Sequence, residues 1–170
     1  LSQTSNNIFL NEKLLARVKS IYDKKEQLNL STEDAKLLED LYESFKANGA
    51  TLNKDDKEKY RKLSMDLSML TLQFDQNALK DKNRFELLIT DENELSGLPE
   101  SARDAAAMLA KSKDKDGWLF NLSAPSYIPF MRYSDKRDLR EKMYREYMSV
   151  GNKGDEFDNK DIIKKIVNIR

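Results

Sequence analysis

The residue types that most often supply a general base, a zinc ligand or a thiolate nucleophile are absent from this sequence of 170 residues, which has no histidine and no cysteine. Serine–histidine triads, the H-E-x-x-H zinc motif, thiolate metal sites and disulfides are therefore excluded. Any catalysis within this chain would have to use carboxylates, lysine or tyrosine. We predict no catalytic residue and no metal-binding residue here, and substrate-binding residues remain unassigned.

One segment has the spacing of a calcium loop. Residues 112–117 place oxygen-bearing side chains at Ser112, Asp114 and Asp116, and then a glycine. Such a loop needs a bidentate glutamate at its twelfth position, which here is Ser123. We interpret the segment as a solvated loop.

The charged residues are numerous and balanced, with 30 basic and 30 acidic side chains. Without a net field, the chain has no general attraction for nucleic acid or for anionic lipid. Basic residues cluster within 136–145, but acidic residues are interleaved with them, which favours a salt-bridged helix. Acid–base pairs four residues apart are typical of exposed helix faces and predict ion pairs. They are Asp55–Lys59, Glu58–Lys62, Asp138–Lys142 and Glu141–Arg145.

Apolar residues recurring with a 3.6-residue period, together with capping residues, predict the helices that would position these side chains. Ser31 and Asn53 are typical N-caps, and Asn48-Gly49 is typical of a helix end. The longest predicted helix would extend roughly 40 Å. The predicted ranges are 11–28, 32–48, 54–82, 101–112, 134–151 and from about 158 onward.

Two short, partly β-branched segments, 85–90 and 118–122, predict a pair of strands of open direction, with Trp118 at least partly buried beside them. An irregular turn is predicted between Pro125 and Pro129. Loops 111–117 and 151–157 are candidates for mobility. The predicted fold class is mainly α, a multi-helix globular fragment with a long central helix and a minor two-stranded β element.

The length favours a single helical domain over residues 1–170. The chain begins with Leu1, and an apolar pattern is still running at Arg170, so we expect an internal fragment of a larger protein. No apolar run approaches the ~20 residues that a membrane span needs, and no secretory signal is visible. We expect a cytoplasmic location and leave a periplasmic or exported one open.

Several segments, in order, resemble the zinc metallopeptidase family of thimet oligopeptidase, oligopeptidase A and peptidyl-dipeptidase. Each motif alone is weak, but their order and spacing match the family over nearly the whole chain. The segments are LLED at 37–40, FKANGA at 45–50, LSML at 67–70, FDQN at 74–77, DENELSGLPE at 91–100, APSY at 124–127 and KRDLREKMYREY at 136–147.

The resemblance implies an almost entirely helical fold with a deep substrate channel, and a zinc ion bound by an H-E-x-x-H helix and a downstream glutamate. This chain would lie upstream of that catalytic region and form part of the channel wall. The parent would hydrolyse short peptides with zinc, whereas this chain alone would neither bind zinc nor cleave peptides. Its partners would be the remaining lobes of the parent, and we expect self-association through exposed apolar faces.

The alternative is a stand-alone helical interaction module that uses the long helix as a coiled-coil seam. The apolar steps hold for only about two heptads before apolar residues spread to neighbouring faces. That pattern is better suited to packing inside a globule.

Overall fold

The computed structural model describes residues 2–170 and is mainly helical, with one small antiparallel sheet. This confirms the predicted fold class. The helices are α1 Ser2–Phe9, α2 Glu12–Tyr22, α3 Thr32–Ala47, α4 Lys54–Arg84, α5 Glu100–Lys111, α6 Ala124–Tyr133, α7 Arg137–Met148 and α8 Lys160–Ile169, and the strands are β1 Leu87–Ile89 and β2 Trp118–Phe120.

Side-chain caps fix where α2, α3 and α4 begin. The Asn11 side chain accepts from the backbone N–H groups of Lys13 and Leu14, at 3.0 and 3.2 Å. Ser31 Oγ accepts from the backbone N–H of Asp34 at 3.1 Å, as the sequence predicts. These contacts satisfy backbone donors that have no partner inside the helix. The first predicted helix is shorter than expected, because it ends at Tyr22 and a separate 3-10 turn follows at Lys25–Gln27.

The chain divides into two compact units, and the first comprises the residues up to Leu70. In this unit α2 packs against α3, and the rings of Tyr22 and Tyr42 stack with their centres 4.1 Å apart. Phe9 meets Phe45 edge to face at 5.2 Å. Whether the 170 residues act as one domain stays a prediction.

The second unit runs from Thr71 to Asn168 and contains a buried apolar core around the sheet. Strands β1 and β2 are antiparallel, with Leu87 opposite Phe120 and Ile89 opposite Trp118, so the predicted strand pair is confirmed. Helix α5 connects the strands and packs on β2. Trp118 lies half-buried against the core, also as predicted. The buried core residues are Leu87, Ile89, Leu95, Leu98, Ala106, Phe120, Leu122, Phe130 and Met143.

The segment predicted as an irregular turn between Pro125 and Pro129 is instead helix α6, so that prediction is wrong. Pro125 stands in the first turn, where a backbone N–H has no intrahelical acceptor and proline costs little. Pro129 removes one internal hydrogen bond. Phe130, fully buried against Phe120 with ring centres 4.7 Å apart, anchors the helix to the core despite that loss.

Candidate functional site

The motif at 91–100 docks on the chain that links α6 to α7. Leu95 and Leu98 are buried in the core, while Ser96 Oγ donates to Asp135 Oδ2 at 2.6 Å. The backbone N–H of Asp135 in turn donates to the Ser96 carbonyl at 2.9 Å. Gly97 has a φ of +84°, and a Cβ there would lie 2.1 Å from the Tyr133 carbonyl oxygen. This motif therefore serves close packing.

The APSY motif at 124–127 also makes packing contacts, and these orient α6. Ser126 Oγ accepts from the backbone N–H of Asn121 at 3.0 Å, and the Tyr127 ring stacks on Tyr147 of α7 at 4.3 Å. Burial, and then the neighbouring phenols of Tyr147 and Tyr144, raise the pKa of Tyr127. Tyr127 is therefore a neutral phenol at physiological pH, and its position serves helix packing.

A buried polar network, the Asp81 cluster (Asn77, Asp81, Gly151, Lys153 and Asn159), joins α4 to residues 151–159. Asp81 is fully buried and accepts from the Gly151 backbone N–H at 2.7 Å and from Lys153 Nζ at 3.1 Å. Asn77 Nδ2 donates to Asn159 Oδ1 at 3.1 Å. Part of this segment is predicted from sequence to be mobile, and these bonds hold it to α4.

Burial opposes the charge of Lys153, but its hydrogen bonds to Glu146 and Asp81 outweigh that effect and raise the pKa of the ammonium group. Arg84 adds further contacts, because its guanidinium pairs with Asp81 at 2.7 Å and with Asp155. The buried carboxylate of Asp81 is therefore surrounded by donors and cations. This arrangement holds a loop in place, and the full burial of Asp81 separates its carboxylate from dissolved substrates.

The Asp81 cluster is missing from the sequence-based predictions, although a signal for it exists. On α4 the apolar residues Leu70 and Phe74 lie four residues apart, and further steps of three and four residues lead to Asn77 and Asp81, which are both buried. Polar residues that continue an apolar row indicate buried side chains with specific partners.

The segment with calcium-loop spacing lies between α5 and β2. Ser112 is the C-cap of α5, and its hydroxyl donates to the Leu109 carbonyl at 2.7 Å. Lys113 and Lys115 both pair with Glu86, next to β1. Throughout residues 2–170 there is no group of three or more acidic side chains arranged to hold a metal ion.

The predicted ion pairs form only in part. Arg145 binds Glu141 with its Nε and Nη2 atoms at 2.9 and 2.7 Å, as predicted. At the start of α4 the pairing differs, because Lys59 contacts Asp56 at 3.0 Å rather than Asp55. Spacings of three and four both bring side chains together on a helix, so the sequence leaves that choice open.

Two surface depressions in the second unit are candidate binding sites. The first, about 230 Å³ in volume, lies between α5, β2 and the start of α6, and its walls are mainly apolar. The second, the α6–α7 groove, has a volume of about 410 Å³. Its lining residues are Met131, Arg137, Arg140, Glu141, Tyr144 and Arg145.

The α6–α7 groove is more basic than the sequence suggests, because the neighbouring acidic residues Asp135, Asp138 and Glu146 lie outside its lining. Asp135 is bound to Ser96 and Glu146 is bound to Lys153, and neither lines the groove. Three arginines and one glutamate remain among the lining residues. Acidic and basic residues are interleaved along the sequence, but basic residues predominate on this surface.

The chemistry of the available donors does not suit a zinc ion. The chain has neither histidine nor cysteine, and zinc sites in proteins are built mostly from these two residues.

Within the part of the chain that the structure describes, every helix is too short or too polar to cross a membrane.

No model of a known protein family matches the chain. Curated proteins, however, align with all or most of it. Oligopeptidase A from Salmonella typhimurium is 33% identical over 174 residues, covering 100% of this chain. Dipeptidyl carboxypeptidase from Escherichia coli is 32% identical and also covers 100% of the chain. The probable cytosolic oligopeptidase A from Arabidopsis thaliana is 36% identical over 89% of it.

The chain spans about a quarter of the length of these relatives, namely 26%, 25% and 22%. The alignments extend across both compact units, including the segments whose motifs pack the core of the second unit. An oligopeptidase and a dipeptidyl carboxypeptidase both match the whole chain, so this region is shared by both kinds of peptidase. The chain belongs to the thimet oligopeptidase and oligopeptidase A family, which includes dipeptidyl carboxypeptidase, and corresponds to a part of such a protein.

Proposed function

We propose that this chain is a non-catalytic helical region of a zinc-dependent oligopeptidase or peptidyl-dipeptidase. The observation that carries the proposal is the alignment of the whole chain with oligopeptidase A from Salmonella typhimurium at 33% identity. The absence of histidine and cysteine supports a role other than catalysis for these residues. Zinc and the hydrolytic residues belong, in this proposal, to the rest of the whole protein.

The specific role we propose is to form part of the wall of a channel that admits short peptides and excludes folded proteins. A wall needs rigid elements, and the second unit supplies them through its buried core and the Asp81 cluster. The partners would be the remaining lobes of the protein. Exposed apolar residues on α8, Ile163 and Val167, support a contact of that kind.

The whole protein would hydrolyse peptide bonds in short peptides, which fits the name of the oligopeptidase A relatives. A cytoplasmic location is part of the proposal, and the name of the Arabidopsis relative, which includes the word cytosolic, supports it. Whether the activity removes C-terminal dipeptides or cuts internally is left open, because relatives of both names match.

The test is to assay this chain, the remainder of its reading frame and the two together on a quenched fluorescent peptide of about eight residues. We expect hydrolysis only when both parts are present, with loss of activity on adding a zinc chelator. The melting temperature of the chain should rise in the mixture, because a partner that binds only the folded state stabilises it. Chelator-sensitive cleavage by the chain alone, or full activity of the remainder without it, would contradict the proposal.

A second candidate is a stand-alone helical interaction module, favoured by exposed apolar residues on α4. Leu63, Met65 and Met69 are all exposed within the first unit. Sedimentation of the isolated chain separates the two functions. A concentration-dependent dimer that persists in the presence of the rest of the reading frame would favour the module.

A further inference from the structure

The α6–α7 groove carries positive charge that the chain itself does not neutralise. Three of its lining residues are arginines, and its one carboxylate, Glu141, is bound by Arg145. Neither Arg137 nor Arg140 has an acidic ion-pair partner among the described residues. Two guanidinium groups therefore remain available to a ligand in a groove of about 410 Å³.

Arg140 is held in place without being neutralised. Its Nη1 atom donates to the backbone carbonyl of Ser134, a buried residue at the end of α6, and the Arg140 side chain is half-buried. A guanidinium fixed by a neutral carbonyl keeps its charge and most of its donors. Arginine presents these donors as a planar fork that matches a carboxylate, and little conformational entropy is lost when the fork is already positioned.

The Arg137 side chain makes no hydrogen bond or ion pair among the described residues, and Arg137 is exposed on α7. Its charge nevertheless reaches into the groove. The pKa of Glu141 is lowered, first by the hydrogen bond and the charge of Arg145 and then by the charge of Arg137. The carboxylate of a ligand in the groove would be attracted by the same positive charge of Arg137 and by that of Arg140.

The remaining walls suit an apolar side chain. Tyr144 is 50% exposed and Met131 is half-buried, so both offer apolar surface to a ligand in the groove. Tyrosine, arginine and methionine are the residue types enriched where proteins bind peptides and other proteins.

We propose that the α6–α7 groove binds a carboxylate side chain of a short acidic peptide, with Arg137 and Arg140 as its ligands and Tyr144 and Met131 against the adjacent apolar residue. The choice of a peptide as carrier of the carboxylate rests on the proposed function. The groove geometry, which selects the carboxylate, does not depend on it.

The test measures binding of this chain to an acetylated, amidated pentapeptide containing two glutamates and one leucine, by calorimetry. The control peptide has glutamine in place of both glutamates. Blocked ends ensure that only side-chain carboxylates are probed, and no hydrolysis is needed for the readout. We expect the acidic peptide to bind at least about tenfold more tightly than its glutamine analogue, and less tightly as salt is raised.

Two variants test the assignment. Arg140→Gln and Arg137→Gln should each reduce acidic-peptide affinity about tenfold, which corresponds to the loss of one charge-assisted contact. Lys142→Gln is the matched control, because it removes one positive charge from α7 outside the groove and should leave affinity unchanged. The Arg137 side chain has no hydrogen-bond or ion-pair partner among the described residues, so its variant keeps the test valid even if Arg140→Gln loosens α6.

Equal binding of the acidic and glutamine peptides would overturn the proposal. An equal loss in Lys142→Gln would also overturn it, since net charge rather than the groove would then be responsible. A single-stranded RNA octamer is the third probe. If it binds more tightly than the acidic peptide and depends on the same arginines, the groove is a phosphate site and the peptide assignment is wrong. Because these measurements involve no catalysis, their failure would leave the proposed peptidase role untouched.

Discussion

The two compact units of the chain differ in how much apolar surface each one encloses. In the first unit, the buried apolar residues among those described are Leu10, Phe45 and Ala50, and several leucines and isoleucines on α1 to α3 are exposed. The second unit buries a connected core that includes both strands and residues from α5, α6 and α7. Burial of apolar surface is the main favourable term in folding. The second unit should therefore be the more stable of the two.

The largest expected effect is truncation of Phe130 in the core of the second unit. Phe130→Ala removes a fully buried ring that contacts Phe120, and we expect a loss of about 3–5 kcal/mol in the free energy of unfolding. Leu88→Ala on the same unit is the control, because Leu88 is 41% exposed on β1 and should change stability by less than about 1 kcal/mol. Urea unfolding monitored by Trp118 fluorescence measures both. Equal losses would mean that this core does not limit stability.

A pair of glycine-to-alanine variants compares how far the atoms around the glycine can move in each unit to accommodate an added Cβ. Both Gly97 and Gly49 have positive φ, so an alanine at either position costs about 1–2 kcal/mol from backbone strain. At Gly97 the new Cβ would also meet the rigid Tyr133 carbonyl at 2.1 Å, which adds about 1–3 kcal/mol. At Gly49 the nearest atom, at 2.9 Å, is the movable end of Leu52. Thermal unfolding should show the larger loss for Gly97→Ala, and the reverse order would contradict a rigid second unit.

The third prediction concerns the Asp81 cluster, which stabilises a loop rather than the core. In Asp81→Ala the Gly151 N–H and Lys153 lose their buried acceptor, at a cost of about 1–3 kcal/mol. Hydrogen exchange should accelerate mainly in residues 151–159, while β1 and β2 stay protected. Asp161→Ala, on the exposed surface of α8, is the control and should leave this loop unchanged. Uniform acceleration across the unit would show that the loop and the core unfold together.

The smallest expected effect is the response of the same loop to acid. Hydrogen bonds from Arg84 to Asp155, and from the Lys160 backbone to Asp158, lower the pKa of each carboxyl below its ordinary value of 3.8. A folded pKa below the unfolded one means that the stabilisation is present above that ordinary value and is lost as pH falls through the lowered pKa.

NMR titration of the two carboxyl groups measures their pKa values, and amide exchange of residues 151–159 reports the loosening at the acid end. In the first unit, Asp56 has its pKa lowered by Lys59 and then Asn53. Asp56 should titrate in the same range without affecting that loop. Titration of Asp155 and Asp158 above 3.8 would contradict the contacts described.

The helices were predictable where local signals dominate. Ser31 and Asn53 mark helix starts because a side-chain oxygen satisfies free backbone N–H groups, and that requires nothing beyond a few residues. Helix α6 was not predictable in this way, because Pro129 opposes a helix locally and only the burial of Phe130 against the sheet favours it. The helical conformation of α6 therefore depends on tertiary packing.

The candidate site was partly accessible from the sequence. A helical period of 3.6 residues already places Arg137, Arg140, Glu141 and Tyr144 on one face of α7, so this part of the groove lining follows from the sequence. The opposite wall of the groove could not be predicted, since Met131 belongs to the unpredicted helix α6. That Arg140 is fixed by the Ser134 carbonyl depends on how the two helices meet.

The ion pairs of Glu86 with Lys113 and Lys115 bear on the solubility of the protein. A two-stranded sheet has an open edge on each strand, where unpaired N–H and C=O groups can recruit a strand from another molecule. Strand β1 is three residues long, and these three charges lie beside its first residue. Another chain extending the sheet there would have to break the ion pairs and desolvate the charges. We therefore expect the cluster to disfavour edge-to-edge aggregation of a sheet with an exposed Leu88.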